Sequence, residues 1–182
     1  MGERGADHTE VPTEGELDEL GRLAEAALIA GALGISTSRT TKHKAADGRL
    51  TPSLTAGDPE LAAIAQAMRA ADAGVLQVNS DFGPGEFEHL RKAAELSGRP
   101  LSVLLLQVDN DPELWKVTRD DIHRANAAGV AVTGQVGCRP IGVMLGLDAT
   151  VNPFRTNPAY EAIAELPLAE RALRMRTDES LR

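Results

Sequence analysis

Polar residues able to bind or catalyse fall in four short clusters. These are Ser36-Thr37-Ser38-Arg39, Asn79-Ser80-Asp81, Gln107-Val108-Asp109-Asn110 and Gln135-Val136-Gly137-Cys138-Arg139. Each follows directly on an apolar run. Hydroxyls and amides in such clusters hydrogen-bond the polar atoms of a small substrate. Arg39 and Arg139 suit a carboxylate or phosphate, which a guanidinium holds through two parallel hydrogen bonds. Asn, Ser and Asp are also ordinary caps for a following helix, whereas neither arginine is needed for a turn. His43 lies in the long loop after the first cluster and is the one histidine placed for a site. His89 and His123 fall inside helical patterns, and His8 lies in a polar N-terminal arm. The sequence holds no His-x-His, no His-Glu-x-x-His and no pair of cysteines, so no metal-ligand motif is complete. A Gly-x-Gly-x-x-Gly turn is missing after the first apolar run, which leaves a dinucleotide site without support. The candidate substrate-binding set is therefore Ser36, Thr37, Ser38, Arg39, His43, Asn79, Gln107, Gln135 and Arg139. No residue is assigned to catalysis or to a metal.

The elements that carry these clusters alternate. Thr13 and Glu16 have capping-box spacing, and Leu17, Leu20, Leu23, Ala24, Ala27 and Leu28 follow at helical intervals. Gly31 ends that helix, and a strand over residues 33–37 delivers the first cluster. Residues 39–57 form a long loop, of a length that is usually functional or disordered. Asp58-Pro59-Glu60 reads as the capped start of a second helix with Leu61, Ile64, Ala65 and Met68 inside. Strands at 75–79, 101–107 and 130–136 are each preceded by a helix closed by glycine, at Gly74, Gly98 and Gly129, the last of these helices running from about Thr118 to Ala128. The unbroken Val103-Leu104-Leu105-Leu106 points to burial on both faces. Beyond Pro140 the pattern changes: residues 141–147 read as a short helix or a loop wall, Asn157-Pro158 as a helix start, and residues 166–175 as a helix.

Such alternation makes an α/β fold with parallel strands and right-handed helical crossovers. Four βα units fit either part of a (β/α) barrel of the eight-stranded TIM type or a small open parallel sheet. In both, the clusters lie on one carboxyl edge, where ligands bind. The 182 residues suffice for one domain with a core, with arms at 1–12 and 176–182 expected to be flexible. Aromatics make up only 3%, so Ala, Leu, Val and Ile must fill that core. A net charge of −8 argues against a nucleic-acid partner, which needs a basic face. No apolar run has the length of a membrane span, no signal layout opens the chain, and a lone Cys138 suits a reducing compartment. The expectation is a cytoplasmic protein.

Gly31-Ala32-Leu33-Gly34-Ile35-Ser36-Thr37-Ser38-Arg39, followed by His43 and Asp47-Gly48, resembles a segment of the D-aminoacylase-like amidohydrolases, the N-acyl-D-amino-acid deacylases and their relatives. Further similar segments run in order along the chain. They are Met1-Gly2-Glu3-Arg4-Gly5, Gly98-Arg99-Pro100 with Leu104-Leu105-Leu106-Gln107, Gln135-Val136 with Arg139-Pro140, and Asn152-Pro153-Phe154 with Leu166-Pro167-Leu168. The resemblance implies that the chain is the middle of a longer metal-binding (β/α) barrel. The implied reaction is hydrolysis of the amide C–N bond of N-acyl amino acids by water activated on zinc or another divalent metal. Histidine ligands of that family align roughly with Asn79 and the neighbourhood of Gln107, which are not histidines here. The chain alone is thus expected to hold no metal and to be inactive, supplying only groups that hold an acyl amino acid substrate. It is also expected to self-associate through uncovered sheet edges. The competing expectation is a non-enzymatic α/β module that binds a small carboxylate on the same rim.

Overall fold

The structure, a computed structural model, describes residues 1–45, 47–108, 111–140, 142, 144–149 and 152–181. The chain divides into two compact units, Met1–His43 with Leu50–Cys138, and Lys44–Arg49 with Arg139–Arg182.

The first unit runs α1 (Glu14–Ile29), β1 (Gly34–Arg39), α2 (Asp58–Ala71), β2 (Val75–Ser80), α3 (Glu86–Ser97), β3 (Leu101–Leu104), α4 (Leu114–Ala127) and β4 (Val132–Gln135). Its four strands are all parallel and stand in the order β1-β2-β3-β4. Three right-handed crossovers that always step the same way put α2, α3 and α4 on one face of the open sheet. Leu28 of α1 joins Leu61, Met68, Leu76, Leu90, Leu101 and Ile122 in a single core, so α1 belongs to the same layer. That core holds no aromatic residue among its buried members.

Side chains alternate along a strand. Ile35, Leu76, Leu101 and Val132 are register partners facing the helices. Ser36, Gln77, Ser102 and Thr133, the next register row, therefore face away from them. The sheet turns a polar row to the side its helices leave open, and Ser36 Oγ donates to Gln77 Oε1 across it. Only part of the apolar stripe of α1 is used. Ala24 and Leu28 are buried, while Leu23 and Ile29 stay exposed, as does Leu33 just before β1.

Helix ends explain several boundaries. Thr13 and Glu16 form the complete capping box of α1, and Gly98 ends α3 in the left-handed conformation at φ 64°. α2 is capped by Gly57 rather than Asp58, which sits inside the first turn and adds a carboxylate near the helix's positive end. α4 begins at Leu114, four residues before the expected Thr118 (its N-cap Glu113 makes no side-chain bond that would mark the start). β3 ends at Leu104, where its register pairing with β4 stops, and Leu104, Leu105 and Leu106 are only partly buried rather than enclosed on both faces. Among the described residues no helix is long and apolar enough to cross a membrane.

The α1 cap carries a pH-dependent tie. Glu16 accepts from the Thr13 backbone at 2.8 Å and from Arg4, which also binds Glu10 and so anchors the 3-10 turn Gly2–Ala6. The Thr13 N–H first, then Arg4, hold the Glu16 carboxyl down at about 2. A depressed carboxylate stabilises fully above its ordinary value of 4.5, and the gain is lost as pH falls toward 2. The stability difference between wild type and Glu16→Gln should be flat at neutral pH and shrink through that window in urea titrations. Thr13→Ala should cost about 1 kcal/mol at pH 7 in the same titrations.

The second unit contains α5 (Pro158–Glu161), capped by Asn157, and α6 (Leu168–Thr177). Tyr160 and Ile163 are its buried apolar side chains. The Tyr160 hydroxyl accepts from Arg171 at 3.0 Å and from the buried Asn152 at 3.2 Å. Of the stretch expected as a short helix or loop wall, Ile141 and Val143 lie outside the described residues, and the rest forms no helix.

Candidate functional site at the carboxyl edge of the sheet

Strand alternation divides the first polar cluster in two. Ser36 and Ser38 point to the open face, while Thr37 and Arg39, in phase with Ile35, point toward the helices. Ser38 is the register partner of Asn79 on β2. His43 folds back on Ser38, its Nδ1 2.5 Å from the Ser38 Oγ. Ser38, His43 and Asn79 are thereby brought together. Gln135 ends β4 opposite Leu104, Gln107 lies exposed beyond the end of β3, and Asp109 and Asn110 lie outside the described residues. Arg139 belongs to the second unit and is exposed.

Arg39 already has a carboxylate. Its side chain is 9% exposed, and its Nε and Nη2 both donate to Glu86 in the first turn of α3. Its Nη1 donates to the carbonyls of Ala56 at 2.6 Å and Ser53 at 3.4 Å. Three donor nitrogens are thus committed to the chain itself. Thr37 lines a separate cleft on the helix side, with Glu60, Leu61 and Ile64 of α2.

At the tips of β1, β2 and β3 a cleft of about 340 Å³ opens. Its mouth carries Thr41, Lys42, Asn79 and Asp81, and Leu104, Leu105 and Leu106 form an apolar wall. Asp81 organises this mouth. It accepts from Thr40 Oγ1 at 2.7 Å, from the Thr41 backbone at 2.8 Å, from Thr41 Oγ1 at 2.9 Å and from Lys42 Nζ at 3.3 Å. Burial by itself would raise the Asp81 pKa, but the bonds from Thr40 and Thr41 and the charge of Lys42 outweigh it and hold it low. Phe82, next in the chain, sits at φ 50°, a left-handed conformation that is strained for a side chain of its size. The Ser80 hydroxyl accepts the Phe82 N–H at 2.9 Å and supports that turn. Strain of this kind tends to gather at binding sites.

The groups of the described residues do not fit a metal centre. Among the described residues no three of His, Cys, Asp and Glu come together, and the one acid at the β2 tip is saturated by Thr40, Thr41 and Lys42. What the mouth can do is hold a polar ligand. Asn79 offers an amide and Lys42 a cation, while Ser38, bonded to His43, is the register neighbour of Asn79 outside the cleft lining. Asp81, Lys42 and Phe82 were not in the sequence-based set. The cluster Asn79-Ser80-Asp81 carries the signal for Asp81, whereas Lys42 and Phe82 reach the cleft only through the turns that follow β1 and β2.

Comparison of the chain with protein-family models, with curated proteins and with solved structures gives no match.

Proposed function

We propose that this chain is an arc of an amidohydrolase barrel, and that its carboxyl edge holds an N-acyl amino acid for hydrolysis at the amide C–N bond. The observation that carries the reading is the strand order β1-β2-β3-β4 without reversal. A doubly wound sheet turns back at a switch point, where its crevice lies. A barrel wall never turns back, keeps all its helices outside, and collects its ligand groups at the carboxyl tips. The polar row Ser36, Gln77, Ser102 and Thr133 is then the side facing the barrel interior. Ser102 Oγ is buried there without a hydrogen-bond partner among the described residues.

The metal of the resembled enzymes would supply an activated water and a polarised carbonyl when bound. Its ligands are not found in the donor set here, and the chain's own part is to bind. Ser38, held by His43, and Asn79 donate to the acyl amino acid, and Lys42 adds a positive charge at the mouth.

Titration calorimetry with N-acetyl-D-alanine and N-acetyl-L-alanine tests this. The expected result is saturable binding, weakened several-fold in Ser38→Ala and Asn79→Ala with unchanged melting temperatures. Without hydrolysis by the chain alone, with or without added zinc, the arc reading stands; zinc-dependent turnover would contradict the assignment of binding only. Acetate bound as tightly as the acyl amino acids would favour the simple carboxylate-binding module instead.

A further inference from the structure

The cleft at the strand tips does not end at its apolar wall. A second groove of about 310 Å³ runs between the first turn of α3 and α4, and shares Phe82, Leu114 and Thr118 with the first. Phe82, Phe87, Leu114 and Val117 line it. The two rings lie tilted, 6.4 Å apart, and flank the channel rather than closing it. Val117 is 55% exposed on α4 although it faces this groove, and Phe87 and Leu114 are only partly buried. A polar mouth thus adjoins a groove that is apolar apart from Thr118, Glu88 and Asp121, the two carboxylates being paired with Arg91 and Arg124.

We infer that this channel takes the acyl tail of an amphipathic amide whose polar head sits at Lys42 and Asn79. The tail assignment rests on the acyl amino acid reading above and names its substrate class: chains longer than acetyl. The occupant is argued from continuity, since one ligand must be polar at the mouth and apolar beyond Phe82. Charge narrows the head. Lys42 is already offset by Asp81, and Asp111 adds a further negative charge to the lining. A carboxylate alone therefore gains little net attraction there, whereas an N-acyl amino acid adds an amide whose carbonyl accepts from Asn79.

The test is calorimetry of the whole chain with N-acetyl-, N-hexanoyl- and N-dodecanoyl-glycine, with dodecanoate and a dodecyl glucoside as controls. Affinity should rise with chain length, by about four-fold for each fully buried methylene. Val117→Asp, on an exposed position that the fold tolerates, should flatten that rise. Phe87→Ala, which lines the groove and not the mouth, should lower the affinity for the long chains and leave N-acetyl-glycine unchanged. Equal affinity across the three amides overturns the tail groove, whatever becomes of the mouth. A rise with length that dodecanoate and dodecyl glucoside match equally keeps the groove but overturns the amide head, and with it the acyl amino acid reading.

Discussion

Arg39→Ala should lower the stability of the protein by about 3 kcal/mol, the usual scale for removing one partner of a buried ion pair. The guanidinium is nearly buried, and Glu86 is only 17% exposed. Its loss leaves a carboxylate on α3 that has been taken out of water and has no counter-charge. It also frees the carbonyls of Ser53 and Ala56, which Nη1 now satisfies on the return from the long loop into α2. For a chain of this size the loss corresponds to a fall of roughly 6–12 °C in the melting temperature. Arg39→Lys should fall between, because an ammonium cannot serve Glu86 and two carbonyls from one rigid plane. Glu86→Gln should cost less, since it removes the charge while leaving an acceptor. Thermal and urea melts decide the matter. An Arg39→Ala protein that melts like wild type but no longer binds an acyl amino acid would show that the arginine serves the ligand and not the fold.

That arginine also shows where the sequence is legible and where it is not. Its position at a strand tip could be read, because an apolar run ending in polar residues marks the tip. Its direction was readable too, by the strand period of two: Ile35 faces inward, so Thr37 and Arg39 must as well, and only Ser36 and Ser38 reach the open face. Its partner could not be read. Glu86 lies 47 residues away, and nothing local to either residue specifies their meeting. The same division runs through the fold. Glycine stops and the Thr13 capping box act within one turn and are visible as spacing. The early start of α4 at Leu114 and the short β3 depend on tertiary packing and pairing, which composition does not encode. The channel past Phe82 was invisible for the same reason. Its lining comes from two segments far apart in the chain, within residues 82–88 and 114–121.

Gly34→Ala should be the most damaging single methyl in the chain, on the order of 4 kcal/mol, within the exceptional class of substitutions. Gly34 opens β1 and is the register partner of Val75. A Cβ built on it would stand 2.1 Å from the Val75 carbonyl oxygen and 2.8 Å from the Val75 nitrogen. Those are backbone atoms of a neighbouring strand and cannot rotate away, so relief requires that β1 lift from β2 at its first pair. The corner has no slack on the other side. A Cβ on Gly74 would meet Leu28 Cδ2 at 2.7 Å and Gly34 Cα at 3.2 Å, so the end of α1 and the starts of both strands are packed on two glycines. Lifting β1 would also carry Ser38 away from Asn79 at its far end, and with it the pair proposed to hold the ligand. Gly31→Ala is the control. Gly31 has φ 104° but nothing within 4 Å of its missing Cβ, so only conformational strain of about 1–2 kcal/mol is expected there. Urea titration of the two variants side by side separates steric contact from backbone strain. Equal losses would mean that β1 shifts freely along β2, and that the strand does not hold Ser38 in place.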